Sequence, residues 1–388
     1  MAQSNPHTDK LLKRRYRAER RFRALSIGAL SLAVIFLVLF FADIINKGYS
    51  AFQVAQIKVA VTYNEQSVEI PPAAVGDEVR PLVSRGFLRM IPQQVGDNPD
   101  LMGRTVERWV TAKTGVGQYL KGAHTGLSSG EQATVDRLAE AGRAELAFNW
   151  GFFTNGDSTM PEMAGIKSAV VGSLYTLLVT MLVSFPIGVM TAVYLEEFAG
   201  DNRFTRAIEV NINNLAAVPS ILYGLLGLAV FINFAGVPRS SALAGGLTLA
   251  LMTLPIIIIS TRAALRAVPD SIREAAFGVG ASRLQMVLHH VLPLSLPGIL
   301  TGSIIGLAQA MGETAPLLIV GMMAFIPEAP GGVTEAATVL PAQIYTWASR
   351  PERAFAELTA AGIMILLAVL LTLNATAVLL RKRFERRW

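Results

Sequence analysis

Six stretches of this chain are long and apolar enough to cross a lipid bilayer, and nothing else in the sequence limits the fold so strongly. They cover 24–45, 168–195, 210–237, 240–261, 298–325 and 358–380. A spanning helix needs about 20 mostly apolar residues, because the hydrocarbon layer is roughly 30 Å thick and an α-helix rises about 1.5 Å per residue. Backbone inside lipid must satisfy its own hydrogen bonds, so such stretches become helices. The expected fold is an all-α polytopic membrane protein with six transmembrane helices. Composition agrees: 52% of the 388 residues are apolar and only 16% charged, too little charge to clothe a soluble globule of this size.

Charge placement gives the orientation. The net charge is +6, and the basic residues crowd the two ends. Lys10, Lys13, Arg14, Arg15, Arg17, Arg20, Arg21 and Arg23 precede the first span; Arg381, Lys382, Arg383, Arg386 and Arg387 follow the last. Basic clusters abutting apolar runs read as membrane anchors and lie on the cytoplasmic side, so both termini are expected there. The first span reads as a retained anchor, since its apolar run is long for a signal peptide and Phe41-Ala42-Asp43 makes a poor cleavage site. The same parity places 262–296 in the cytoplasm, with Arg262, Arg266, Arg273 and Arg283, and leaves the short turn at Arg239 outside.

The reading divides the chain into a basic segment (1–23), a first span (24–45), an external domain (46–163) and a core of five further spans (164–388). The external insertion has ordinary soluble composition and is expected to be α+β or α. Helical periodicity over 131–148, in Val135, Leu138, Ala139 and Leu146, follows Ser128 and Ser129 as N-cap candidates. Gly142 falls on the same face and weakens that helix. Residues 54–61 and 68–70 have strand character. No metal, phosphate-loop or catalytic spacing occurs in the insertion, so a lid or spacer and a ligand-binding module both stay open. Cysteine is absent and the four histidines, His7, His124, His289 and His290, form no ligand spacing.

The most informative stretch lies between the fourth and fifth spans: SIREAAFGVGASRLQMVLHHVLPLSLPGI, residues 271–299. It reads as a short helix over 271–277, a bend at Gly278 and Gly280, and a second helix over 282–291 ended by Pro293 and Pro297. Ala275 and Ala276 suit the close approach of a partner surface, and Glu274 can bond backbone donors or a basic side chain. The order Glu274, Ala275, Ala276, three residues, Gly280, nine residues, then Leu292-Pro293 resembles the EAA loop (271–293) of ATP-binding-cassette import permeases. The resemblance implies that this loop docks into a separate ATPase subunit. His290 departs from it, since a branched aliphatic residue is usual there. No GxxxxGK[ST] phosphate loop occurs in the chain, so ATP and magnesium are expected on the partner, this chain holding no cofactor and being no enzyme.

Within that family, residues 165–198, 213–231 and 306–321 (GLAQAMGETAPLLIVG) are similar to the PstA-type subunit of phosphate importers, and the insertion looks like that of a longer variant. The resemblance implies a PstC-type permease, a pair of PstB-type ATPases and a periplasmic phosphate-binding protein as partners, inorganic phosphate as substrate, and the bacterial inner membrane as location. Glu313, near the middle of the fifth span, is costly in lipid and must face a cavity, a partner or a neighbouring helix. Gln309 shares a face with it at i, i+4 spacing and Thr314 is its neighbour. Members of the PstA type commonly carry Arg where this chain has Gln309. With no Lys or Arg inside the apolar part of any span, the positive potential for an anion is left to the partner permease or to backbone donors at kinks near Pro186, Pro219, Pro255 and Pro316. Asn211, Asn213, Asn214, Ser220 and Tyr223 form a polar segment open to two readings, lining the path or hydrogen-bonding between helices.

Three other classes stand beside this one. A stand-alone secondary transporter leaves the loop motif unexplained and calls for an inverted repeat. A membrane sensor calls for a cytoplasmic signalling domain, where only eight residues follow Leu380. A permease for sulfate, molybdate or tungstate keeps the architecture and changes the substrate.

Overall fold

The structure is a computed structural model that describes residues 6–123 and 125–384; His124, Arg386 and Arg387 lie outside the described residues. Five helices among these are long and apolar enough to cross a membrane, and a sixth crossing exists only if a sharply bent pair is counted as one.

The first span lies inside a 44-residue helix, Pro6–Tyr49. It is exposed along most of its length and meets the last helix, Arg353–Phe384, chiefly at its far end, where Ile44 is buried. The second span, Lys167–Val193, runs on into a π-helical turn, Tyr194–Phe198. The fourth, Ala242–Arg266, is the most enclosed and packs between the second and fifth.

The single third span expected over 210–237 is instead two helices, Arg203–Ala216 and Ser220–Phe234, meeting at 103°. Pro219 explains the break: it supplies no N–H and disfavours helical backbone at Val218. The Tyr223 hydroxyl donates to the Leu215 carbonyl at 2.7 Å, bonding the two limbs across the bend.

The second helix of the loop does not stop at Pro293 or Pro297. Arg283–Met286, a π-helical turn Val287–Val291 and Leu292–Gly312 form one continuous helix, so the fifth span starts at the loop and ends earlier than the expected 298–325. Pro186 and Pro255 likewise sit inside unbroken helices. An interior proline costs about 3 kcal/mol, but stopping a helix in lipid strands several backbone groups at several kcal/mol each. Continuation therefore wins. Only Pro219 and Pro316, of the four candidate kinks, stand next to real breaks.

The inserted domain is α+β. Its antiparallel sheet has the order β2-β1-β3, with β1 Gln53–Thr62, β2 Thr105–Thr111 and β3 Ala144–Phe148. Ala55, Ile57, Val59 and Val61 alternate along β1 and are buried with Leu82, Ile91, Val110, Val116 and Val135 in a core of the domain's own, the period-2 pattern of a sheet covered on one face. The helix expected over 131–148 runs only Ser129–Glu140, opened by a capping box between Ser128 and Glu131. Gly142, at φ +65°, ends it and turns the chain into β3, as a C-terminal glycine does. The stretch 68–70 is not a strand: Asn64 and Ser67 cap a short helix, Glu65–Glu69, and Pro71 follows.

The domain is fixed to the bundle by polar contacts. Glu357 of the last helix accepts from Gln118 at 2.8 Å, Lys121 at 3.1 Å and the Ser50 hydroxyl. Buried Asp157 accepts from the Trp347 indole at 3.1 Å.

Candidate coupling surface

The helix Asp270–Gly278 stands at the end of the bundle opposite the inserted domain. Its N-terminus follows Pro269, and Gly280, at φ +84°, reverses the chain after it. A Cβ at Gly280 would meet nothing within 4 Å, so glycine is needed there for its backbone freedom and not for space. Ser282 and Gln285 then form a capping box that starts the long fifth helix. Beneath the loop, Leu265, Val268, Ala276, Met286, Val287 and Val291 are buried together.

Arg273 bolts this helix to two spans. Its Nη2 donates to Glu197 Oε1 at 2.7 Å and to the Leu265 carbonyl at 2.9 Å, and its Nη1 donates to the Val268 carbonyl at 2.7 Å. Glu197 is 5% exposed and Arg273 16%. The hydrogen bond from Arg273 to Glu197, and the carboxylate charge, push the guanidinium pKa further above its already high value, so Arg273 stays charged across the whole physiological range. Two further arginines of the fourth span join the network: Arg262 bonds Glu196 at 3.1 Å and Glu209 at 2.6 Å, and Arg266 bonds Glu196 at 2.6 Å. Three of the four arginines that mark the charge bias of this loop, Arg262, Arg266 and Arg273, are thus paired with three glutamates distant in sequence. The adjacent Glu196-Glu197 pair, right after the second apolar run, was the available signal for that network.

What the loop leaves open is specific. Glu274 and Ala275 are exposed, whereas Ala276 is buried against the chain's own core and is not available to a partner. Phe277, Val279 and Leu284 expose apolar side chains, Val279 to 84%. Leu292 is half-buried and Pro293 exposed, both within the fifth helix. The surface so formed is a knob with one carboxylate, one small residue and an apolar rim.

The second group of candidates is placed differently. Glu313 is not mid-helix: it is the residue after Gly312 where the fifth helix ends, with extended ψ of 132°, and it is half-buried. It has therefore left the helical face of Gln309, which is exposed in the last turn. Thr314 begins a short helix, Ala315–Ile319. That helix packs on the limb Ser220–Gly227 so closely that a Cβ at Gly224 would sit 2.7 Å from Pro316 Cα. The structure thus brings the two breaks together, with Ser220 half-buried and Tyr223 buried on one side and Glu313 and Thr314 at the other. Asn211 donates to the Ala207 carbonyl of its own helix at 2.8 Å, and Asn213 and Asn214 are exposed. Tyr223 alone among these polar residues bonds across the break.

Residues 184–388, more than half of the chain, match the family of binding-protein-dependent transport system inner membrane components. The chain is a permease of that family. Residues 9–78 match a domain of unknown function, DUF3333. The permease is 34% identical over 233 residues to the phosphate transport system permease protein PstA 1 of Mycobacterium tuberculosis, covering 59% of this chain and 75% of that protein. It is 31% identical over 229 residues to PstA of Haemophilus influenzae, covering 59% and 79%. It is 34% identical over 177 residues to the probable ABC transporter permease protein YqgI of Bacillus subtilis, covering 46% of this chain and only 59% of that one. These relatives make it a PstA-type permease, a multi-pass membrane protein, with the inserted domain marking a long variant.

Proposed function

We propose that this permease is the subunit of an ATP-driven importer that carries inorganic phosphate across the bacterial inner membrane, coupled to a separate ATPase through the helix Asp270–Gly278. The observation that carries the coupling reading is the anchored, outward-facing knob: Glu274 and Ala275 project from a helix that Arg273 ties to the ends of the second and fourth spans. A push on the knob from a partner closing on ATP moves those helix ends directly. Both termini and the loop lie on the cytoplasmic side, and the inserted domain lies outside. ATP and magnesium belong to a PstB-type dimer, a PstC-type permease completes the pore, and a periplasmic phosphate-binding protein delivers the substrate.

The phosphate reading rests on the relatives named for phosphate transport. Glu313, Thr314, Gln309, Asn214, Ser220 and Tyr223 are the substrate-path candidates, centred on the paired breaks. The break at Pro219 begins a new helix at Ser220, whose positive dipole end offers backbone donors to an anion, in a chain whose Gln309 replaces a cation usual in the family. Labelled phosphate uptake tests the whole reading, in cells lacking their own PstA-type subunit and given this chain with its cognate partners, with sulfate as competitor. Uptake that needs this chain and ATP and ignores sulfate establishes the phosphate importer. Uptake of another oxyanion instead keeps the architecture and discards the substrate.

A further inference from the structure

The inserted domain carries an aromatic cluster at its root. Phe52, three residues beyond the first helix, stacks on Phe153 with centroids 5.8 Å apart; Phe153 stacks on Phe148 at 6.0 Å; Phe148 meets Trp150 edge-on at 4.8 Å. The β1–β3 register pairs Gln53 with Phe148, so this is the end of the sheet nearest the spans. The rings are not core: Phe148 is 49% exposed, Phe153 37% and Trp150 70%. A soluble surface rarely presents such a contiguous set.

The height of this cluster follows from the first span. Its apolar run, 24–45, is about 33 Å long as a helix, which fills the hydrocarbon layer and puts the boundary near Ile45. Tyr49 is one turn beyond it and Phe52 under two turns, on the order of 5–10 Å above the boundary, within the headgroup layer. Exposed Lys47, Lys167 and Arg353 stand where the first, second and last helices meet the domain. Trp150, with its indole N–H, and Tyr49, with its hydroxyl, are the amphipathic rings that membrane proteins place at this depth, here beside cations and backed by the apolar rings of Phe148 and Phe153. The end of the first helix, three residues before Phe52, also exposes apolar surface, with Ile45 at 52% and Tyr49 at 62% exposure.

We propose that Phe148, Trp150 and Phe153 are a membrane foot: the inserted domain rests on the bilayer, with these rings in the phospholipid headgroup layer of the leaflet on its own side. The domain is thereby held against lipid as well as against the last helix. The inference needs only a membrane-spanning chain and stands independently of the substrate transported.

The absence of cysteine makes the test direct. Trp150→Cys carries a spin label as the single thiol site of the full chain in liposomes; Glu140→Cys, exposed on the same domain away from the bundle, and Val34→Cys, exposed in the first span, serve as references. The ratio of collisions with oxygen to collisions with a water-soluble nickel chelate should lie between the two references for the label at 150. A ratio equal to that at 140 overturns the foot, because the cluster is then in water. Shielding from both reagents overturns it too, because protein then covers the rings. A second measurement avoids the label: phospholipids brominated near the headgroup should quench wild-type tryptophan emission, and Trp150→Phe should remove most of that quenching. Equal quenching of both chains overturns the proposal.

Discussion

Arg273 and Glu197, 76 residues apart in sequence, meet at 2.7 Å between Nη2 and Oε1 in a site that is almost closed to solvent. The same guanidinium takes up carbonyl oxygens of Leu265 and Val268 at the end of the fourth span. One side chain therefore joins the loop helix, the second span and the fourth span.

Glu197→Gln removes the buried counter-charge of Arg273 and leaves it only the exposed carboxylate of Asp270, at 3.2 Å. Removing one partner of a buried pair costs about 3–5 kcal/mol, and the variant should lower the melting temperature of the detergent-solubilised chain and expose the loop to proteolysis. Arg206→Gln, which removes a pair that is exposed on both sides, should change neither measurement, because such pairs contribute about 0–1 kcal/mol. Equal behaviour of the two variants would rule out the bolt.

Gly280→Ala and Gly278→Ala add the same methyl group into open space. Only Gly280 has positive φ, so Ala there costs about 1–2 kcal/mol of backbone strain and should reshape the knob. ATP-dependent uptake should fall several-fold in Gly280→Ala while ATP hydrolysis by the assembled complex persists. Gly278→Ala should transport normally. A normal rate for Gly280→Ala, or a matching loss in Gly278→Ala, contradicts the assigned role of the turn.

Tyr223→Phe removes one hydrogen bond, Tyr223 hydroxyl to Leu215 carbonyl, and nothing of the ring's packing. The net cost should be about 1 kcal/mol, taken at the 103° bend. Spin labels at Phe204→Cys and Phe234→Cys, both exposed, should show a broader distance distribution across the bend in the variant. An unchanged distribution means that packing of Gly224 on Pro316 alone sets the angle.

Glu357→Gln should loosen the inserted domain. Lys121 and Glu357 are each only 14% exposed, so Lys121 loses its counter-charge in a site that gives little water in return. Amide exchange over Thr114–Leu120, the helix that carries Gln118, should rise by about two orders of magnitude for a loss of roughly 3 kcal/mol. Exchange at the wild-type rate would show that the Asp157–Trp347 bond and the apolar packing of Phe152 on the bundle hold the domain without Glu357.

Acid should weaken the helix Ser129–Glu140 through its cap. The Ser128 backbone N–H, then the Ser128 hydroxyl, hold the Glu131 carboxyl below its ordinary pKa. The folded value being the lower one, this cap is fully in force above the unfolded value of about 4.3. It is lost as pH falls through the folded value. Amide exchange in this helix should accelerate below about pH 4, and Glu131→Gln should flatten that dependence.

Length and hydropathy alone made the chain a bundle of spanning helices, since lipid leaves the backbone no other regular option. The strand character over 54–61 falls within β1, the N-cap candidate Ser128 opens a helix, and the glycine bend placed the loop helix within one residue of Asp270–Gly278 at each end. Local rules failed where tertiary context outweighed them. Pro293 and Pro297 carry a stop signal that the membrane overrides, 68–70 has strand propensity that the cap at Asn64 overrides, and the apolar run 210–237 conceals a right-angled break because hydropathy is blind to direction.

The sequence by itself determined which segments must leave water and which short patterns can dock, because hydrophobicity and backbone conformation are properties of neighbouring residues. Only the tertiary structure decided that Ala276 is spent inward while Glu274 and Ala275 face out, that Glu313 ends a helix instead of interrupting one, and that Arg273 finds Glu197. Each of those depends on which distant atoms fill the space beside a side chain, and close packing sets that for the whole bundle at once.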